Sequence, residues 1–388
     1  MNVLIFDIQI TGHHSEYISH LVDYLDNNID SNIYYIIVHP IFSEKFPAIA
    51  NKAKLIQNIA WHEISVSELV STENTGLISM SLSFYNIMNR YALKYNADHV
   101  ILLYLNIFQF ALSIYRPKYI LSGILFFQFT RQEKRTLMEK IKYCRKYLQT
   151  LLLIKNKSIQ NIFILNDDQT VEYLTVKLKT AVFKKLHDPI LILKSLEVIN
   201  IRDCYHIDAY KSIYLHIGSL DYRKGTIEIL DSIKYIDDEY QQKICFIFAG
   251  KSENPFKEEF ESKVKYYAEN SFVQIIWIDK FISDIEMKSL FEQCNYVLIP
   301  YKRTEASSGI LGHAVAAKKT LIGSNSGLLK VIILENEFGV LVDNVDATSI
   351  AKAIKESQTY KFDGEKAEKF IQAHNPTFFV KEILNSIQ

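Results

Sequence analysis

At 388 residues the chain is too long for one ordinary core, and two domains are the default expectation. Hydrophobic residues make up 48% and charged residues 23%, the balance of a folded globular protein rather than a disordered one. Lys+Arg and Asp+Glu cancel at 44 each, so no global charge points to nucleic acid as a partner, and none is expected.

The chain opens on an apolar run, residues 2–8, without a basic flank or a small-residue cleavage site. It reads as a first strand and not as a signal peptide. Gly12, His13 and His14 follow it as a loop. Further strands are predicted at 33–38, 100–105, 119–125 and 162–165, with helical stretches between them. Residues 131–157 hold nine basic residues against two acidic ones. Within them Leu137, Ile141, Cys144, Leu148 and Leu151 recur at helical spacing, just after Phe126, Phe127 and Phe129. Such a stretch suits a peripheral contact with an anionic bilayer carrying a lipid-linked acceptor. The plainer reading packs the apolar stripe on the first sheet and leaves a solvated basic face.

The His187-Asp188-Pro189 turn precedes a boundary placed within residues 200–210. Beyond it the alternation is regular. Strands are predicted at 212–217, 244–249, 273–278, 296–300, 320–323 and 339–342, and helices from 224, at 256–268, at 284–294, from 308 and at 328–334. Short apolar strands alternating with helices are the pattern of a parallel sheet covered on both faces. A last helix is expected around 377–387, packing back onto the first domain. No apolar run reaches the ~20 residues that span a bilayer. The four cysteines have neither CxxC nor Cys/His metal spacing and read as buried thiols of a reducing compartment. The Asp167-Asp168 pair reads as a helix cap and Asp237-Asp238 as a surface turn, so no metal site is expected.

Two segments carry a family resemblance. The first is Gly218-Ser219-Leu220-Asp221-Tyr222-Arg223-Lys224-Gly225, a strand–loop–helix element. The second is the stretch from Tyr301 to Gly327, in which Glu305 and His313 flank Ala306-Ser307-Ser308-Gly309-Ile310-Leu311-Gly312. They resemble the C-terminal half of the retaining family 4 glycosyltransferases (glycosyl transferases group 1). The resemblance implies an α/β GT-B fold, two doubly wound Rossmann-like domains facing each other across a cleft. It implies domains at 1–205 (acceptor) and 206–370 (nucleotide sugar), with 371–388 a returning helix.

In that family a lysine at the position of Lys224 neutralises the donor diphosphate, and Glu305 takes the place of a Glu that contacts the donor sugar. His313 stands where a second Glu binds the ribose. Ser219 stands where the family arginine is usual, with Arg223 as its substitute. Ser307, Ser308 and Gly309 would present the N–H groups of a helix start to the phosphates. Gly12, His13 and His14 occupy the place of a family loop near donor and acceptor, and Ser122 stands about where the family has a histidine.

The chemistry is coherent with these residue types. Breaking a bond between a sugar and a diphosphate puts negative charge on the leaving group, and a metal-free site needs preorganised cations and N–H donors there. The implied activity is transfer of a sugar from a UDP- or GDP-linked donor, with retention, to a glycan or lipid-linked acceptor in bacterial surface polysaccharide synthesis. No cofactor beyond that co-substrate is implied, and the expected location is the cytoplasm, membrane-associated at most. Two rivals are a GT-B protein that binds nucleotide or glycan without turnover, and a UDP-sugar epimerase-like enzyme of the same fold.

Overall fold

The computed structural model describes residues 1–72, 76–126, 129–131, 134, 136–191, 197–304 and 308–387. Two compact units divide it. Unit 1 comprises residues 1–188 and 376–388, and unit 2 comprises residues 189–375. The chain therefore enters unit 2 at the 187–189 turn, earlier than the expected 205/206, and leaves it at 375/376 rather than 370/371. The local reason at both ends is one hydrogen bond within unit 2, from Ile190 N to His374 O (2.9 Å).

Unit 1 holds seven strands: β1 (Asn2–Asp7), β2 (Ile33–Val38), β3 (Ile59–Glu63), β4 (His99–Leu102), β5 (Ile120–Leu125), β6 (Ile159–Leu165) and β7 (Phe183–Leu186). They form one parallel sheet in the order β3-β2-β1-β4-β5-β6-β7. Unit 2 holds β8 (Ser212–Ile217), β9 (Ile244–Ala249), β10 (Gln274–Ile278), β11 (Tyr296–Ile299), β12 (Thr320–Ser324) and β13 (Gly339–Val342). They form a second parallel sheet in the order β10-β9-β8-β11-β12-β13.

Central strands such as β9 are buried along their whole length, because helices cover both faces of a parallel sheet. In each unit the chain first builds outward on one side, then returns to the middle and builds the other way. The reversal falls between β1 and β4 in unit 1 and between β8 and β11 in unit 2. Open α/β sheets bind ligands beyond the carboxyl ends of the strands at such reversals.

The terminal helix Pro376–Leu384 belongs to unit 1. Phe379, Val380 and Ile383 are buried with Val3, Ile5 and Tyr17, and the rings of Tyr17 and Phe379 lie 4.7 Å apart. Removing the Phe379 ring should therefore cost unit 1 about 3–5 kcal/mol, the usual loss for a buried phenylalanine cut to alanine. Urea denaturation of Phe379→Ala followed by circular dichroism checks this, and a loss below about 1 kcal/mol would mean that the helix contributes little to that core.

Candidate functional site

In unit 2 the two loops that leave the reversal point are built against each other. β8 ends at Ile217, and Gly218 follows with φ +112°, a region that side-chain-bearing residues rarely adopt. The Lys224 ammonium occupies the space where a Cβ on Gly218 would stand, so any side chain there would displace it. Asp221 caps the short 3₁₀ turn Tyr222–Lys224, accepting from the backbone N–H of Arg223 (2.8 Å) and of Lys224 (3.1 Å). Gly225, at φ +70°, closes the turn where the carbonyl of Pro300 leaves no room for a Cβ. Lys302 N donates to Arg223 O (2.8 Å), stitching the loop after β11 to the loop after β8.

Lys224 is the centre of this construction. Its ammonium lies over the Tyr301 ring, 5.3 Å from the centroid. Among the described residues no carboxylate comes within ion-pair distance of it. Burial pushes its pKa below the ordinary lysine value, and neighbouring Arg223 adds to that while Asp221 opposes it. Tyr301 is itself buried, its hydroxyl without a hydrogen-bond partner in good geometry, and burial drives its pKa up to about 12. Arg223 is exposed, and its guanidinium is turned to Asp221 (2.8 Å).

The segment after Tyr301 is fixed at Thr304, whose carbonyl accepts from Leu328 N (2.7 Å) and whose hydroxyl meets Ser326 (2.9 Å). Glu305, Ala306 and Ser307 lie outside the described residues, as do Phe127 and Arg135 of the basic segment. Ser308 is the N-cap of helix Gly309–Ala316, and its side chain makes no cap hydrogen bond. The helix start thus keeps N–H groups unanswered by its own cap. Further along, the His313 ring stacks on Phe291, a core residue, at 5.6 Å between centroids. Ser219 is exposed on the loop itself.

A residue that sequence reasoning passed over holds the reversal together. His216, fully buried on β8, donates from Nδ1 to Leu298 O of β11 (2.8 Å), and its Nε2 meets the Thr226 hydroxyl (2.9 Å). Thr226 also lies within hydrogen-bond distance of Asp221 O (3.1 Å), so His216 ties both strands to the lysine loop. The available signal is one polar residue inside an otherwise apolar strand.

Unit 1 has its own constellation beyond β1 and β4. His14 Nδ1 donates to the buried Asp7 carboxylate (2.7 Å), which also accepts from Gln9 N (3.0 Å). A carboxylate only accepts, so Nδ1 is the donor of this pair. Nε2 has no partner among the described residues. The ring is boxed by Tyr104 (5.3 Å) and Phe126 (5.6 Å), which follow β4 and β5. Neighbouring His13 pairs with Glu16 (3.3 Å), which raises its pKa to about 9 against the opposing effect of burial. Gly12 is exposed in the same loop.

Ser122 lies inside β5, within the strand expected at 119–125, in register with Ile101, and its hydroxyl meets His99 Nε2 (3.0 Å) in the core. An apolar strand hid the pairing, because the partner is on another strand. Asp167 is a helix cap, accepting from Thr170 N, and also binds Arg131 (2.6 Å). Asp237 likewise caps a helix, Asp238–Gln241, rather than sitting in a plain turn. Among the described residues no group of three or more His, Cys, Asp or Glu is placed to hold a metal ion.

Residues 199–375 match the family model of glycosyl transferases group 1. That match lies wholly within unit 2 and includes Lys224, Tyr301 and His216. The likeness to that family is therefore carried by unit 2. Over 99–100% of its length the chain is similar in fold to three solved structures. These are a glycosyltransferase from Rickettsia africae (14% identity, 96% of that chain, TM-score 0.66), a UDP-forming trehalose-phosphate synthase from Burkholderia vietnamiensis (9%, 99%, 0.68) and WaaG, a glycosyltransferase involved in lipopolysaccharide biosynthesis (11%, 99%, 0.63). The fold is GT-B. No curated protein sequence matches the chain.

Two histidines of this GT-B chain make stability pH-dependent. Burial lowers the pKa of both His216 and His99 to about 4. Unfolding lets each bind a proton at its ordinary value near 6.5, so the unfolded state holds more protons between about pH 6.5 and 4. Stability is complete above that window and falls as the pH drops. Each histidine should contribute a loss of about 1.6 kcal/mol between pH 6.5 and 5, above the range where most carboxylates protonate. Urea midpoints at pH 7, 6 and 5 check the sign, and unchanged midpoints would show that these rings protonate freely in the folded state.

Proposed function

We propose that the protein transfers a sugar from a nucleotide diphosphate donor, UDP- or GDP-linked, to a glycan or lipid-linked glycan acceptor, with retention and without a metal. The observation that carries this reading is the half-buried Lys224 ammonium, unpaired by any described carboxylate, on a loop at the sheet reversal of the unit that matches the group 1 glycosyltransferase model. A desolvated cation is costly unless an anion answers it. The diphosphate of the donor is that anion.

In this reading Lys224 meets the charge that grows on the diphosphate as the bond to the sugar breaks. Ser307, Ser308 and Gly309 offer backbone N–H groups to the phosphates, and Glu305 holds sugar hydroxyls close to the cationic ring. Arg223 and Ser219 flank the phosphates, and His313 contributes to the ribose side. In unit 1, His14 Nε2 accepts a hydrogen bond from a sugar hydroxyl, held in that tautomer by Asp7, with Gly12 and His13 shaping the same loop. The trehalose-phosphate synthase is UDP-forming and WaaG belongs to lipopolysaccharide synthesis. By analogy the donor is a nucleotide sugar and the setting is bacterial surface polysaccharide synthesis in the cytoplasm.

The competing reading is a GT-B protein that binds nucleotide without turnover, and the observation that favours it is the His313 ring stacked on core Phe291. Hydrolysis and transfer assays over a panel of nucleotide sugars separate the two. Lys224→Ala should lower turnover by roughly 2.7–4 kcal/mol, the range of a lost transition-state stabiliser, and weaken binding of free nucleotide diphosphate. Glu305→Gln should cut turnover while leaving that binding nearly intact, because the ligand has no sugar. Full transfer activity in Glu305→Gln, or no turnover with any donor in the parent protein, would overturn the proposal.

A further inference from the structure

Helix Leu137–Ile154 points the wrong way for a purely structural element. At 100° per residue, Tyr143, Tyr147, Thr150 and Ile154 share one face, and this face packs on the unit 1 core together with Leu153. The expected apolar stripe lies on the opposite side, in solvent. Leu137 is 74% exposed, Ile141 53% and Leu148 56%; Leu152 and Cys144 are also exposed. Lys140 flanks this stripe on one side, and Arg145 and Lys142 flank it on the other. The stripe from Leu137 to Leu152 runs for about 22 Å along the helix.

Nothing local requires those leucines. The helix is started by a capping box, in which Thr136 Oγ1 accepts from Glu139 N (3.2 Å) and Glu139 accepts from Thr136 N (2.8 Å). Its inner face is held by aromatic contacts, Phe129 against Tyr143 (5.2 Å) and Tyr147 (6.2 Å). An outward row of large apolar side chains on a helix so anchored is a pre-formed surface.

We infer that this face docks on an anionic lipid surface, the stripe entering the headgroup boundary and the three cations meeting lipid phosphates. Charge complementarity selects this occupant over a second copy of the chain, because a two-fold contact would bring the same cations together. The surface is separate from the residues assigned to donor chemistry, so its fate is independent of that reading.

The test is sedimentation of the full chain with vesicles of phosphatidylglycerol or of phosphatidylcholine, at low and high salt. The parent protein should pellet with the anionic vesicles and much less with the neutral ones. Lys140→Gln/Lys142→Gln/Arg145→Gln should lower partitioning about a hundredfold at low salt, with a smaller loss at high salt where the charges are screened. Ile141→Ser/Leu148→Ser, which keeps every charge, should also lose binding, with the helical circular dichroism signal and melting temperature retained as controls of folding. Equal pelleting with both lipids, or unchanged binding in both variants, overturns the inference. Concentration-dependent dimerisation that Ile141→Ser/Leu148→Ser abolishes, without vesicle binding, gives the face to a second copy instead and also overturns it.

Discussion

A half-buried ammonium without a described carboxylate is the constraint around which unit 2 is arranged. Lys224 can sit there because Gly218 has no side chain, because the Tyr301 ring offers its electron-rich face, and because Lys302 N closes the two loops together. His216 links the strands beneath. The Tyr301 and Lys302 contacts join the loop after β8 to the loop after β11, and His216 joins the two strands themselves. They exist because the sheet order reverses there and makes β8 and β11 neighbours. The topology makes β8 and β11 neighbours, and it places beside them an ammonium that no described carboxylate reaches at ion-pair distance.

The same topological device appears in unit 1 with opposite chemistry. There the reversal between β1 and β4 holds a buried carboxylate, Asp7, which orients His14 and leaves Nε2 among aromatic rings. Aromatic walls around hydrogen-bonding groups suit a sugar, which has apolar C–H faces and polar rims. One unit thus places a cation at its reversal, and the other a histidine held by a carboxylate beside ring faces.

Much of the fold was legible because central parallel strands are buried on both sides. Runs such as ICFIFA in β9 are apolar throughout and bounded by turn residues. β3 and β7 were not legible: they are edge strands, and β7 reads FKKL with both lysines exposed. Lys224 was found through its motif, but Tyr301 and His216 lie 77 residues downstream and 8 residues upstream of it, and only strand pairing brings all three together. Helix Leu137–Ile154 shows a different limit. Periodicity located the helix, yet two of its faces repeat at that period, and it was the aromatic face that turned inward. The Ser122 pairing was hidden for a related reason, since a hydroxyl in a strand gives no sign of the His99 partner one strand away.

The most direct test is a structure of the protein soaked with UDP and, separately, GDP. The account predicts a diphosphate beyond the carboxyl ends of β8 and β11, with phosphate oxygens within hydrogen-bond distance of Lys224 Nζ and of backbone N–H groups at Ser308 and Gly309. A diphosphate bound elsewhere in unit 2, with the Lys224 ammonium still resting on the Tyr301 ring and touching no phosphate, would contradict it.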